Sequence, residues 1–418
     1  MHIDANVLAE IERKLEPVDA AFARLYPGER QGRQPVHTVY VPADRFSARL
    51  CREWGDQAIG ALAEFAPDPD GFAAASGIDP VLAGDLYPRV RAKLAAEPIE
   101  DLRIDFEDGY LGHSAEQEYA TARRAARELG TAIADGSAPA FHGIRIKSLE
   151  AATRQRGIRT LDTFLAALPA STGLPDGFVV TCPKVTAVEQ VEAMLTLCAG
   201  LERAHGLDDG SLRFEIQVET PQTVLGADGT APIARMVRAA GNRCAGLHYG
   251  TYDYSAACGI AAEHQSMEHA VADHAKAVMQ LAAAGTGVRL SDGSTNILPV
   301  GTAEEVHHAW RLHTRLVGRS LERGFYQGWD LHPAQLPTRF AATYAFFRAG
   351  FPAAADRLRR YLEHAAGGVL DEPATARALS GFLLRGLDCG AIDPAELSTA
   401  TGRTRADLEA LHRRSPVD

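Results

Sequence analysis

No two of the six cysteines (Cys51, Cys182, Cys198, Cys244, Cys258, Cys389) stand at CxxC spacing, and together they form no short regular framework. That pattern excludes a disulfide-stapled secreted scaffold and predicts reduced thiols in a cytoplasmic protein. No apolar run is long enough to span a bilayer, and Met1 is followed by a polar amphipathic segment in place of an apolar leader, so no membrane partner is expected. Positive charge is in deficit. The 43 Lys and Arg face 54 Asp and Glu, and the net charge of −11 argues against a chain-wide attraction to nucleic acid. Low-complexity tracts are missing too, as is any repeat beyond a strand–helix period. What is present is 418 residues, 46% hydrophobic and 23% charged, the composition of a soluble globular protein able to bury a sizeable core.

Eight strand-like runs punctuate the chain: "HTVYVP" at 37, "DLRIDFEDG" at 101, "FHGIRIKS" at 141, "GFVVTCPK" at 177, "RFEIQVET" at 213, "RCAGLHYG" at 243, "NILPVG" at 296 and "YQGWDLHP" at 326. Most are followed by a helical pattern, and three helix starts carry capping-box spacing: Ser114 with Gln117, Thr186 with Glu189, and Thr302 with Glu305. Parallel neighbours need a helical crossover, so this grammar predicts an α/β fold, a (β/α)8 TIM barrel, over residues 1–345. An N-terminal helix precedes it, and a long insertion after the first strand carries helices of its own. Residues 346–418 read as a C-terminal helical appendage.

In a closed barrel one strand face packs on helices and the other fills the interior. Alternation then sends Leu102, Ile104 and Phe106 outward and Arg103, Asp105 and Glu107 inward. Arg145 and Lys147 follow inward from the third strand, and Glu215, Gln217 and Glu219 from "FEIQVETPQ". These charges are expected to pair inside the barrel, because a buried unpaired charge is very costly. The set has one surplus negative charge, which a bound cation would offset. On the eighth run the same reading turns Gly328, Asp330 and His332 inward. His248 reads as a packed histidine, and His307, His308 and His313 as a solvated or capping set.

Barrel enzymes place their chemistry at the C-terminal strand ends. There the sequence carries an ordered series: Phe106-Glu107-Asp108-Gly109, Arg145, Pro183-Lys184, Glu219 in "VETP", Gly250-Thr251-Tyr252-Asp253, and Gly324-Phe325 through His332-Pro333-Ala334-Gln335. In that order and spacing the chain, over roughly residues 36 to 340, resembles the citrate lyase β-subunit and malyl-CoA lyase branch of the HpcH/HpaI aldolase superfamily, within the phosphoenolpyruvate/pyruvate barrels. The resemblance implies a carbon–carbon lyase dependent on Mg2+ or Mn2+, with Glu219 and Asp253 as metal ligands. A hard divalent ion held by two carboxylates takes its remaining ligands from water and an oxygen-rich substrate, here a 2-oxo acid, its aldol adduct or an acyl-CoA thioester, and stabilises an enolate. Arg145 is implied as the group holding a substrate carboxylate or oxyanion, and Lys184 as a further catalytic group. Glu107 and Asp108 are expected to orient water or move a proton, and the backbone of Gly250, Thr251 and Tyr252 to take the substrate carboxylate. Asp330 is an additional carboxylate, read either as a charge balanced by Lys147 or Arg103 or as an acid or base.

Two other readings belong beside this one. A malate synthase-like condensation or a phosphoenolpyruvate-linked phosphoryl transfer would use the same metal platform. From another class, "LSTATGRTRADLEALHRR" sets two short helical patterns around Thr401-Gly402, as a nucleic-acid-binding helix-turn-helix would, though the acidic balance of the chain makes nucleic acid an unexpected partner. A homo-oligomer is expected.

Overall fold

The computed structural model describes residues 3–169, 174–364 and 373–413. Its eight strands are β1 (His37–Pro42), β2 (Asp101–Asp105), β3 (Phe141–Arg145), β4 (Phe178–Cys182), β5 (Arg213–Val218), β6 (Cys244–Tyr249), β7 (Arg289–Ser291) and β8 (Gly328–Asp330). They pair in parallel in the order β7-β6-β5-β4-β3-β2-β1-β8, and a bridge from Ser291 to Gln327 joins the two ends of the sheet. This is the expected (β/α)8 barrel.

Helices fill the intervals. α1 (Ala5–Leu25) precedes β1, and α2 (Leu50–Phe65), α3 (Pro69–Ser76) and α4 (Pro80–Ala96) make up the insertion before β2. The crossovers are α5 (Ala115–Ala134), α6 (Arg154–Ala167), α7 (Val188–His205), α8 (Pro221–Val224) with α9 (Pro232–Ala240), α10 (Thr251–Ala257) with α11 (Ala270–Ala283), and α12 (Ala303–Glu322). After β8 come α13 (Leu336–His364), α14 (Pro373–Cys389), α15 (Pro394–Thr401) and α16 (Arg405–His412). Two of the three capping boxes form as spaced, Ser114 with Gln117 and Thr302 with Glu305. The third is displaced by one residue. Gln190, not Glu189, turns back to the N–H groups of Thr186 and Ala187, and the helix begins at Val188.

The seventh strand is not "NILPVG" but "RLS", whose residues pair with Gly246–His248 of β6. Pro299 supplies no N–H to a ladder, which fits the segment's place in a loop over the barrel mouth. Apolar residues pack in three main bodies. Outward strand residues such as Ile104, Ile144, Val180 and Ile216 meet the crossover helices. Phe72, Leu86, Trp310, Phe340 and Tyr344 join the insertion to α12 and α13. Leu358, Leu383, Leu397 and Leu408 hold the last helices together. The boundary expected at 345/346 therefore falls inside α13, which runs unbroken from the second body into the third. Among the described residues no helix is long and apolar enough to cross a membrane, and all six cysteines are free.

Candidate active site at the C-terminal mouth

The inward faces of β2, β3 and β5 carry their charges as alternation requires. Deep in the barrel Arg103 grips Glu215 with two nitrogens, at 3.0 and 2.7 Å, and also contacts Asp101. His248 Nε2 lies 3.0 Å from Glu215, so it is a packed and paired histidine. This buried set forms a floor under the mouth. Lys147 does not join it. Its ammonium donates to the Phe106 carbonyl at 2.8 Å and lies 3.7 Å from Glu118 of α5, outside the barrel interior.

At the strand ends the side chains converge. Asp105 accepts from the N–H groups of Glu107 and Gly109, both at 2.9 Å, which curls the loop after β2 back over its own strand. A side chain at Gly109 would put its Cβ 2.6 Å from the Asp105 carboxylate, so this close turn requires glycine. Arg145 donates Nε and Nη2 to Asp105 at 2.7 and 2.6 Å and lies over the Tyr40 ring at 4.8 Å. Its fork is thus engaged by the protein, and Nη1, 3.5 Å from Glu107, is the nitrogen turned to the mouth. Tyr40 was not singled out from the sequence, although it sits on the inward face of "HTVYVP".

Lys184 links the rest. It adopts φ of 50°, a left-handed conformation unusual outside glycine, and its N–H donates to Glu219 at 2.8 Å. Its ammonium reaches Glu107 at 2.7 Å, Asp108 at 2.6 Å and Asp253 at 3.6 Å. Glu219 also accepts from Gln217 at 3.0 Å, and a Cβ at Gly250 would stand 2.5 Å from the Glu219 Cβ. Glycine at 250 is what lets β6 approach Glu219. The Gly250 N–H is engaged by the Val218 carbonyl at 2.9 Å, so of the three backbone groups expected to take a carboxylate, those of Thr251 and Tyr252 in the first turn of α10 remain. Tyr252 also accepts at its hydroxyl from the Asn296 N–H at 2.6 Å, which fastens the loop after β7 beside the mouth.

Burial pushes the Glu219 carboxyl up to about 8, against the pull of Arg145 and with a further push from Asp253. Burial likewise raises Glu107 to about 7, again opposed by Arg145. Asp108 goes the other way. Burial works against its charge, but the hydrogen bond with Glu107 and the Lys184 ammonium hold it below the usual carboxylate range. Two adjacent carboxyls with values driven apart can divide the work, one holding a proton and the other staying ionised. Among the described residues no three or more His, Cys, Asp or Glu side chains form a ready-made metal cluster.

Asp330 stands elsewhere. Trp329 is the inward residue of β8, packed on Tyr40 at 4.4 Å between rings, and Asp330 faces the helices. The inward assignment of Gly328 and Asp330 is therefore reversed. Asp330 is fully buried against Arg339 (2.9 Å), His37 (2.7 Å) and His313 (3.1 Å), and neither Lys147 nor Arg103 is its partner. His313 is accordingly a buried histidine and not part of a solvated set, whereas His308 is exposed.

Among solved structures, the fold matches a citrate lyase from Burkholderia xenovorans LB400 with a TM-score of 0.59 and 18% identity, over 90% of this chain and 99% of that one. It also matches Haloferax volcanii malate synthase, with a TM-score of 0.50 and 14% identity over 92% and 99% of the two chains. At these identities the likeness is one of fold, and it bears out the barrel implied by the strand-end motifs. No curated protein matches the sequence. The family described as "Domain of unknown function (DUF6986)" matches residues 15–415, and the chain belongs to that family.

Proposed function

We propose that this chain is a Mg2+- or Mn2+-dependent carbon–carbon lyase or aldolase acting on a 2-oxo acid or its aldol adduct. The observation that carries the reading is the convergence of Glu107, Asp108, Glu219 and Asp253 around Lys184 at the C-terminal mouth. The donor set fits a hard divalent cation. Every acid is an oxygen ligand, Arg145 is already matched by Asp105, and the Lys184 ammonium faces three carboxylates while Glu219 takes only the backbone N–H of that lysine. Glu219 and Asp253 would hold the ion, which would supply Lewis-acid stabilisation of an enolate oxygen.

The chain's own groups do the rest. Glu107, with its proton poised near neutral pH, gives and takes the proton at the carbon being cleaved or joined. Lys184 holds Glu107 and Asp108 in place, and its ammonium is the second cationic donor at the mouth after Arg145 Nη1. The N–H groups of Thr251 and Tyr252 face the substrate carboxylate. A malate synthase-like condensation would run on the same groups, and consumption of glyoxylate with acetyl-CoA would distinguish it. No observation favours nucleic acid: in α16, Arg405 is paired with Asp388 and Glu409, and Leu408 is buried. Six free cysteines support a cytoplasmic setting.

Arg145→Lys tests the reading. Lysine keeps the charge but cannot hold Asp105 with two nitrogens while presenting a third to the mouth. The expected loss in kcat/KM is at least about tenfold, corresponding to about 1.4 kcal/mol of transition-state stabilisation. Activity within about twofold of the parent would make Arg145 a purely structural residue.

The homo-oligomer rests on α1. None of its residues is buried, and Val7, Ile11, Leu15 and Val18 are each 44–58% exposed at spacings of four, four and three. That stripe fits a helix–helix seam with a second copy of α1. Light scattering of Ile11→Glu/Leu15→Glu is expected to show a smaller species than the parent at equal concentration, and an unchanged mass would remove α1 from the interface.

A further inference from the structure

The opposite, N-terminal mouth of the barrel encloses a cavity of about 340 Å³ whose wall includes Arg30, Arg213 and Arg289. Arg213 opens β5, Arg289 opens β7, and Arg30 lies on the segment leading to β1. Elsewhere in the barrel each buried guanidinium is matched: Arg103 by Glu215, Arg145 by Asp105, Arg339 by Asp330. These three differ. Arg30 reaches the Cys244 carbonyl at 3.4 Å, and Arg289 donates to the Gly32 carbonyl at 2.9 Å and lies over the Phe141 ring. Arg213 has Nε and Nη2 buried with no hydrogen-bond partner.

The acids nearby offset this charge only in part. Asp101 and Glu215 are engaged by Arg103, and Asp176 is exposed at the rim. Burial, with the neighbouring charge of Arg30, lowers the Arg289 guanidinium to about 10, and Asp388 and Asp101 oppose this only in part. Like charges partly withdrawn from water around a space of this size are costly unless something of opposite sign completes them. A guanidinium fork matches the oxygens of phosphate or carboxylate in geometry as well as charge.

We propose that this mouth is a binding site for a compact oxyanion with two or more negative charges, of the phosphate or polycarboxylate class, held by Arg30, Arg213 and Arg289. It lies at the far end of the barrel from Glu219 and is independent of the activity assigned there.

The test uses the full chain, titrated with inorganic phosphate, pyrophosphate and citrate against chloride at matched ionic strength. Melting temperature and calorimetry are the readouts. A saturable rise with one of these anions is expected, and whether phosphate, pyrophosphate or citrate gives it identifies the chemical source. In Arg213→Gln/Arg289→Gln the rise is lost, and with chloride alone Arg289→Gln melts at or above the parent because it removes an unmatched charge. If the variants fail to fold, the titration of the parent still decides. No saturable shift beyond chloride in the parent, or a shift that survives in a folded double variant, overturns the proposal.

Discussion

Asp330→Asn is expected to destabilise the protein by about 3–5 kcal/mol while leaving the pH dependence of turnover unchanged. The asparagine keeps the volume but strands the buried Arg339 guanidinium, whose Nε and Nη2 lie 3.0 and 2.9 Å from the carboxylate. Burial works against the Asp330 charge, yet Arg339, His313 and His37 hold its carboxyl well below the usual range. The charged form is thus the one the fold is built around, and its stabilisation is present above the ordinary carboxylate value and lost as the pH falls. Since Asp330 faces α12 and α13 and not the barrel interior, its substitution removes no group from the mouth. Denaturant melts and a pH–rate profile on the same sample check both halves. A variant of parental stability that has lost one limb of its pH profile would instead make Asp330 the acid or base.

Glu219→Gln is expected to act with the opposite sign on stability. In chelator, the folded protein holds a proton on Glu219 up to about pH 8, whereas the unfolded chain releases it near the ordinary carboxylate value. Stability therefore falls as the pH rises through that window, and the loss is complete above about 8. Glutamine cannot ionise, so the variant should be more stable than the parent at pH 8.5 and indistinguishable from it at the acid edge of the window. With Mn2+ the order reverses. The parent should gain about 2.7 kcal/mol when the ion is at a hundred times its dissociation constant, and the variant almost nothing. A gain in metal-free stability joined to a loss of metal response is the signature of a ligand carboxylate. A variant less stable than the parent at every pH, with its metal response intact, would place Glu219 in the scaffold.

Much of this architecture is legible in the sequence. On β2 and β5 one face is wholly apolar and the other carries charges, and on β3 Ile144 and Ile146 alternate with Arg145, so the phase is plain and Arg103, Asp105, Arg145 and Glu215 fall inside. On β8 the run "GWDL" puts both apolar side chains, Trp329 and Leu331, in one phase and the acid in the other, so alternation alone points Asp330 inward, and the structure reverses it. The reason is visible in three dimensions. Tyr40 offers Trp329 an aromatic partner inside, and Gly328 has no side chain to keep the Arg339 guanidinium away, since a Cβ there would stand 2.9 Å from it. The seventh strand is not legible from local sequence, because "NILPVG" has stronger strand propensity than "RLS". Three ladder pairs to β6 decide it, and those are tertiary information.

The site was legible as a set of residues and not as a pattern of bonds. Glu107, Asp108, Arg145, Lys184, Glu219 and Asp253 do come to one mouth. Which of them holds which was hidden in side-chain geometry. Periodicity puts Arg145 and Asp105 on the same inward face, but it does not say that Asp105 takes both prongs of the fork. Nor does spacing reveal that Lys184 must adopt a left-handed backbone to send its N–H to Glu219 and its ammonium to Glu107 and Asp108.

The proposed chemistry stands on Glu219 and Asp253 together binding one divalent cation to which a 2-oxo acid adds its own oxygens. Water-proton relaxation measured during titration with Mn2+, with and without oxalate as a planar mimic of the enolate of a 2-oxo acid, tests it. One Mn2+ per chain is expected, tightened by oxalate, with both effects lost in Glu219→Gln and in Asp253→Asn. Unchanged Mn2+ affinity in both variants, or a Mn2+ site indifferent to oxalate, would contradict it.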